Sequence, residues 1–235
     1  EFKSFEVLDS ARRIAFIDRW YYRMGFRELE GEKLKKWRVM KIFCESSDRV
    51  MMERIDTSKI SNDTFVTCYE KYVEKLKKEK FFDFTSIIFS LLELLKGDKK
   101  SLKQINDTIK HVVFDEYQDV NMLQEELLEY LSIGSDSVCV VGDDDQNIFQ
   151  WRGSNVDYIL DFPENYKKYG VTTEKLDVNY RATDGLVETA GQFILNNSDR
   201  VSKNMVAYKE QKRKFEHGDI VQHHFDTDND EFDFI

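Results

Sequence analysis

From residue 6 to residue 97 the apolar positions recur at helical spacing, and at residue 111 they change to short unbroken runs. In "EVLDSARRIAFIDRWYYRM" (6–24), Ile14, Ile17, Trp20 and Tyr21 share one helix face, and Asp9 or Ser10 suits the N-cap. "GEKLKKWRVMKIF" (31–43) and "SNDTFVTCYEKYVEKLKKEK" (61–80) also read as helices, the second capped by Ser61 or Asn62. "FFDFTSIIFSLLELLKG" (81–97) predicts a strongly apolar helix ended by Gly97. Residues 1–109 are therefore expected to be all-helical.

The later pattern predicts alternating strands and helices. "HVVFD" (111–115) is a β-branched run of the kind found in strands buried on both faces. "VNMLQEELLEYLSIG" (120–134) follows as a helix closed by Gly134, and "SVCVVGD" (137–143) as a second buried strand. Strand–helix–strand at this spacing is a βαβ unit, so the strands should run parallel, adjacent or not. Residues 155–168 read as a helix interrupted around Pro163, the only proline. A strand is expected within 173–182, a helix over 184–196, and a last strand in "DIVQHHFD" (219–226). There are no repeats and no low-complexity linker.

Composition narrows the class. With 41% apolar and 14% aromatic residues among 235, the chain is globular and can bury a real core. No stretch of 18 apolar residues exists, so no membrane span is expected. Without a charged-then-apolar leader, and with three scattered cysteines (Cys44, Cys68, Cys139), it reads as a reduced, cytoplasmic protein. If the source is bacterial, that means a nucleoid-associated one. The four histidines show no metal-ligand spacing with the cysteines. The net charge of −10 argues against a general nucleic-acid binder. It hides an asymmetry, because residues 1–80 carry 19 Lys+Arg against 15 Asp+Glu and the last twenty carry seven acids and no Lys or Arg. Any nucleic-acid contact must be local.

The chemistry gathers at strand ends, where ligands bind parallel sheets. Asp115 and Glu116 follow the first strand of the βαβ unit, and Asp143, Asp144 and Asp145 follow the second. A carboxylate there can hold Mg²⁺ through water, and a neighbour can orient or deprotonate an attacking water. An isolated acidic pair is more often a solvated strand end. "GDDDQNIFQWRGS" (142–154) adds Gln146, able to orient a water or phosphate, and Phe149 and Trp151 flanking Gln150. Two positions apart on an extended chain, these rings would point the same way and stack on bases; otherwise they are core residues. "LDVNYRA" (176–182) adds Tyr180 beside Arg181, a ring for a purine and a cation for a phosphate, or else a surface ion pair.

"VVFDEYQDVN", "VVGDDDQNIFQWRGS" and "LDVNYRA", in this order and spacing, resemble three successive motifs of the UvrD/Rep/PcrA-type superfamily 1 DNA helicases. Those motifs are usually written DExxQD, GDxDQxIYxWRGA and NYRS. "FEVLDS" (5–10) and "FDFTSIIFSLLELL" (82–95) resemble parts of the helical insertion before the first motif. The resemblance implies an α/β fold: an incomplete P-loop NTPase (RecA-like) parallel-sheet helicase core preceded by an all-helical insertion. Residues 1–109 would be the insertion, 110–175 the later part of the first motor domain, and 176–235 the start of the second. It implies that Asp115 coordinates the Mg²⁺ of ATP and Glu116 is the catalytic base, with Gln118 and Asp119 in the network around them. Gln146 would contact the γ-phosphate, and Phe149 and Trp151 would stack on single-stranded DNA. Tyr180 would pack on adenine, and Arg181 would act as an arginine finger. Arg152 and Asp143 match the motif and are given only support. Clamping a loose phosphoryl transition state is the physics behind these roles. Phe149 for Tyr, Ser154 for Ala and Ala182 for Ser are departures, and so are Thr85 and Ser86 in place of acids. No function is carried onto that helix.

The phosphate loop GxxxxGK[ST] is missing: none of the ten glycines is followed by Lys. The chain opens on Glu1, and the expectation is that these residues are the middle of an ATP-dependent helicase acting on single-stranded and duplex-junction DNA, its loop lying upstream. As an isolated chain it would be ATPase-inactive. Two alternatives stay open: the motor of a helicase–nuclease, and a short DNA-binding or protein-interaction module that has lost its ATPase. Protein partners are not legible.

Overall fold

The computed structural model describes residues 4–31, 34–211, 216, 221 and 223–234. The chain divides into two compact units, Glu1–Asn165 and Tyr166–Ile235, ahead of the 175/176 division expected from the motifs.

Unit 1 opens with β1 (Glu6–Leu8) and α1 (Ser10–Met24), followed by α2 (Lys36–Met52) and α3 (Asp63–Glu79). β2 (Phe81–Asp83), α4 (Phe84–Gly97) and α5 (Lys99–Thr108) come next. Local sequence sets the helix starts. Asp9 accepts from the Arg12 N–H at 2.8 Å and Asn62 from the Phe65 N–H at 2.9 Å, satisfying donors that a helix N-terminus leaves open. The apolar faces of α1, α2 and α3 then meet in one core around Ile17, Tyr21, Phe26, Phe43 and Tyr72. Its rings pack edge-on, Phe26 on Phe43 at 4.5 Å and Phe43 on Tyr72 at 5.4 Å between centroids.

Residues 1–109 are not all-helical. Glu6–Leu8, ahead of the expected N-cap in a stretch expected to hold only helices, and Phe81–Asp83, expected inside a helix, pair as parallel strands with Glu6 opposite Phe81 and Leu8 opposite Asp83. Phe5 stacks on Phe82 at 4.7 Å, and Leu8 is buried. Pairing between segments so distant in sequence leaves no periodic trace, which is why the helical pattern nearby absorbed both. At the other end α4 finishes at Gly97, as expected, and the Asp98 N–H closes it on the Leu94 carbonyl at 2.8 Å.

A buried charge network joins these elements. The Arg13 guanidinium donates to Tyr72 Oη at 2.9 Å, to both Asp48 oxygens at 2.9 and 2.8 Å, and to Ser47 Oγ at 2.7 Å. The Tyr72 hydroxyl in turn donates to Asp83 Oδ2 at 2.6 Å. Burial alone would oppose the Arg13 charge; Tyr72, Asp83, Cys44 and Asp48 outweigh it and raise the pKa above its ordinary value. Asp83 also caps α4, its Oδ1 accepting from the Ser86 N–H at 2.7 Å while Ser86 Oγ accepts from the Asp83 N–H at 2.9 Å. So Ser86, a departure from the family's acids, closes a capping box. The buried Cys68 thiol and the half-buried Cys44 thiol are both pushed up to about 11 by desolvation.

After α5 comes the βαβ unit: β3 (His111–Phe114), α6 (Met122–Ser132) and β4 (Ser137–Val140). The strands are parallel and adjacent, with His111 opposite Ser137 and Phe114 opposite Val140. They are not buried on both faces. Val112, Phe114, Val138 and Val140 pack with Tyr117, Val120 and Leu128, whereas Val113 on the opposite face is 71% exposed. Side chains alternate across a strand, and the packing partners among the described residues cover only one side. Arg54 ties α6 to the helical part, reaching Glu93 of α4 at 2.8 Å and Glu126 of α6 at 3.4 Å. The interruption expected near Pro163 is present, between α7 (Asp157–Leu160) and α8 (Phe162–Asn165). Pro163 sits in the first turn of α8, where its missing N–H costs nothing.

Unit 2 contains β5 (Val178–Asn179), α9 (Asp184–Ile194), β6 (Val206–Ala207) and α10 (Asp228–Phe234). β5 and β6 pair in parallel. Of the strand expected at 219–226, residues 219, 220 and 222 lie outside the described residues, and residues 221 and 223–226 are not in a strand. Among the described residues no helix is long and apolar enough to cross a membrane.

Candidate functional site

β3 and β4 end level with each other, and their following loops are fastened together. The Val141 N–H donates to the Phe114 carbonyl at 2.8 Å, and the Tyr117 N–H donates back to the Val141 carbonyl at 2.9 Å. Asp115 and Glu116 leave one strand and residues 142–147 leave the other, so the acids of both loops lie at the carboxyl edge of the sheet.

Glu116 is held in an uncommon conformation. Its φ of 53° and ψ of 42° are left-handed, which costs a residue with a side chain about 1–3 kcal/mol and persists only where neighbours enforce it. Several do. The Glu116 N–H donates to Asp115 Oδ1 at 2.9 Å, and Glu116 Oε2 accepts from Gln118 Nε2 at 2.7 Å. The next residue, Tyr117, is buried edge-on between Phe114 at 5.8 Å and Phe162 at 5.5 Å, and its hydroxyl donates to Glu125 of α6.

Gln118 spans both loops with one amide. It is only 1% exposed, and its Oε1 accepts from the Asp143 N–H at 3.0 Å while its Nε2 holds Glu116. Room for that amide comes from Gly142. A Cβ there would stand 2.6 Å from Gln118 Oε1, 2.8 Å from Ile159 Cδ1 and 3.1 Å from the Tyr117 nitrogen. On the second loop Asp143 accepts from the Asp145 N–H at 3.2 Å and from Gln146 Nε2 at 2.7 Å.

These residues surround an open cleft of about 460 Å³, lined by Glu116, Gln118, Asp119, Asp145, Gln146, Ile148 and Phe149. Six of the residues singled out from sequence, Glu116, Gln118, Asp119, Asp145, Gln146 and Phe149, are therefore neighbours in space. Asp115 is exposed at the adjacent strand end with one oxygen on the Glu116 N–H. Among the described residues no three His, Cys, Asp or Glu side chains converge on one point. A hard cation at Asp115 would draw most of its shell from water and phosphate, as Mg²⁺ favours.

The aromatic pair differs from expectation in one respect. Phe149 and Trp151 do not lie on an extended chain, because Gln150–Arg152 forms a 3-10 turn closed by Gly153 at a φ of 88°. The rings meet edge-on at 6.4 Å and 61°. Trp151 is nonetheless 75% exposed, so it is no core residue.

Tyr180 and Arg181 lie in unit 2, where they line a cavity of about 410 Å³ with Val178, Asn179 and Met205. Asn179 builds that turn, its Oδ1 accepting from the Arg181 and Ala182 N–H groups at 2.9 and 2.8 Å. Tyr180 packs on Tyr208 at 4.7 Å. Asn179, Gly142 and Asn147, which donates to the Gln118 carbonyl, were not singled out from sequence. Their partners lie across a turn or in another loop, and only the small or amide character of each residue hints at its part.

The sequence model of the UvrD/REP helicase N-terminal domain matches residues 4–167, from before β1 to beyond α8 and through both acidic loops. The chain belongs to the UvrD/REP helicase family. The resemblance drawn from its motifs is thereby borne out. This UvrD/REP chain is 30% identical to the ATP-dependent DNA helicase PcrA of Bacillus subtilis over 207 residues, 86% of the chain and 27% of that protein. It is 33% identical to the ATP-dependent DNA helicase Rep of Buchnera aphidicola over 169 residues, 70% of the chain and 24% of that protein. DNA helicase II of Haemophilus influenzae is 31% identical over 141 residues, 60% of the chain and 19% of that protein. The chain spans between 19% and 27% of the length of these relatives. The mixed helical and parallel-strand fold of residues 4–167 is compatible with a helicase N-terminal domain.

Proposed function

We propose that these residues form part of an ATP-dependent DNA helicase, in which nucleotide hydrolysis drives movement along single-stranded DNA and opening of a duplex junction. The βαβ unit belongs to a first RecA-like motor domain, the helices before it are an insertion in that domain, and residues after about 176 begin a second. The observation that carries the reading is Glu116, left-handed, exposed, and pinned by a buried amide that also grips the second acidic loop.

Each side chain has a physical task. Glu116 takes the proton of the attacking water, and Gln118 keeps one carboxylate oxygen aimed while the other faces the cleft. Asp115 would hold Mg²⁺, which would offset the charge of the phosphates. Gln146 exchanges its bond to Asp143 for one to the γ-phosphate, and Asp119 lines the same cleft. Phe149 and Trp151 offer ring faces to unpaired bases. In unit 2, Tyr180 receives adenine and Arg181 a phosphate, on a turn stiffened by Asn179.

The test is steady-state ATP turnover and unwinding of a tailed duplex by the whole protein. Turnover raised by single-stranded DNA, together with unwinding, is the expected result. DNA binding with no turnover would favour a binding module instead.

A further inference from the structure

We propose that Asn147 is a positioning residue that links the aromatic turn to the Glu116 carboxylate, and so sets how strongly single-stranded DNA raises ATP turnover. The inference rests on the function proposed above.

Three hydrogen bonds among the described residues fasten the 142–155 segment to the turn after β3. The Asp143 N–H donates to Gln118 Oε1 at 3.0 Å, and the Asn155 N–H donates to the Val120 carbonyl at 3.1 Å. The third is a side-chain bond, from Asn147 Nδ2 to the Gln118 carbonyl. The same nitrogen lies 3.4 Å from Ser154 Oγ, a buried hydroxyl where the family motif usually has Ala. Gln118 in turn donates to Glu116 Oε2 at 2.7 Å.

Asn147 therefore stands at a junction. Before it is Gln146, bonded to Asp143; after it come Ile148 and Phe149 in the cleft wall and the exposed Trp151. Its amide grips both ends of the aromatic segment, its own backbone position and Ser154, and anchors them to the residue that aims Glu116. A base stacked on Phe149 or Trp151 shifts the preferred position of that segment. The Asn147 bond carries the shift to the Gln118 backbone, and the Gln118 amide carries it to the carboxylate. This is a run of direct contacts between two sites.

The experiment uses the whole protein with ATP and oligo(dT), comparing wild type, Asn147→Ala and Asn147→Asp. Aspartate keeps the volume of asparagine and lacks the amide donor; alanine lacks the charge that aspartate adds, so a loss common to both variants reads the hydrogen bond. In both variants the ratio of DNA-stimulated to DNA-free turnover should fall by about tenfold, within the range of ordinary coupling between sites. A residue that only supports the fold would lower both rates together and leave the ratio alone. An unchanged ratio in Asn147→Asp overturns the proposal, as does thermal unfolding of both variants far below wild type. If Asn147→Ala alone fails to fold, Asn147→Asp decides. A wild-type protein whose turnover ignores oligo(dT) would instead defeat the functional reading itself.

Discussion

Glu116, Gly142 and Trp151 illustrate how much single residues reveal before a structure is known. The acidic pair was legible because carboxylates at the end of an apolar run are chemically conspicuous. The left-handed backbone of Glu116 was not, since nothing in "FDEYQD" demands it; it follows from Gln118 reaching across to Asp143. Gly142 was read only as part of a motif, and its necessity is steric. Gly142→Ala should destabilise the chain by about 1–3 kcal/mol, the usual cost of overpacking a filled site, seen as a lower thermal midpoint. A midpoint within error of wild type would mean that Gln118 moves aside freely. For Trp151 the alternatives were core or base platform, and its ring is exposed. Trp151→Ala in the whole protein should weaken oligo(dT) binding by ~1–3 kcal/mol, measured by fluorescence anisotropy.

At the scale of elements, the helices of unit 1 were largely legible and the strands only partly so. Helix periodicity and caps such as Asp9 and Asn62 are local properties. The β1–β2 ladder depends on residues far apart in sequence, and three-residue strands are too short to show alternation. The one-sided burial of β3 and β4 was also hidden, because an apolar run does not say how many of its faces will be covered. Arg13 is the element-scale counterpart of Gln118, joining α1, α2, α3 and the cap of α4 through Asp48, Tyr72 and Asp83. Removing the cation leaves Asp83 buried without it. Arg13→Leu should therefore cost about 3–5 kcal/mol in a denaturant titration, the penalty for breaking a buried ion pair from one side. A loss below about 1 kcal/mol would reduce the network to the standing of an exposed pair.

At the scale of the whole molecule, family membership was legible from three motifs in order, because long collinear patterns carry far more information than any one of them. The unit boundary between Asn165 and Tyr166 was less so, since the helical residues up to Asn165 run on without a linker composition. The 235 residues contain no Gly–Lys pair and hence no GxxxxGK[ST] loop. The isolated chain should accordingly release no measurable phosphate from ATP, with or without DNA, because half of the phosphate cage is absent from it. Glu116→Gln in the whole protein removes the proton acceptor alone, since the amide keeps the shape of the carboxylate but cannot take a proton. Turnover in saturating oligo(dT) should fall by about 10²–10⁴-fold, the usual contribution of a general base, with ATP affinity retained. Turnover that stays near the wild-type rate would mean that Glu116 is not the base.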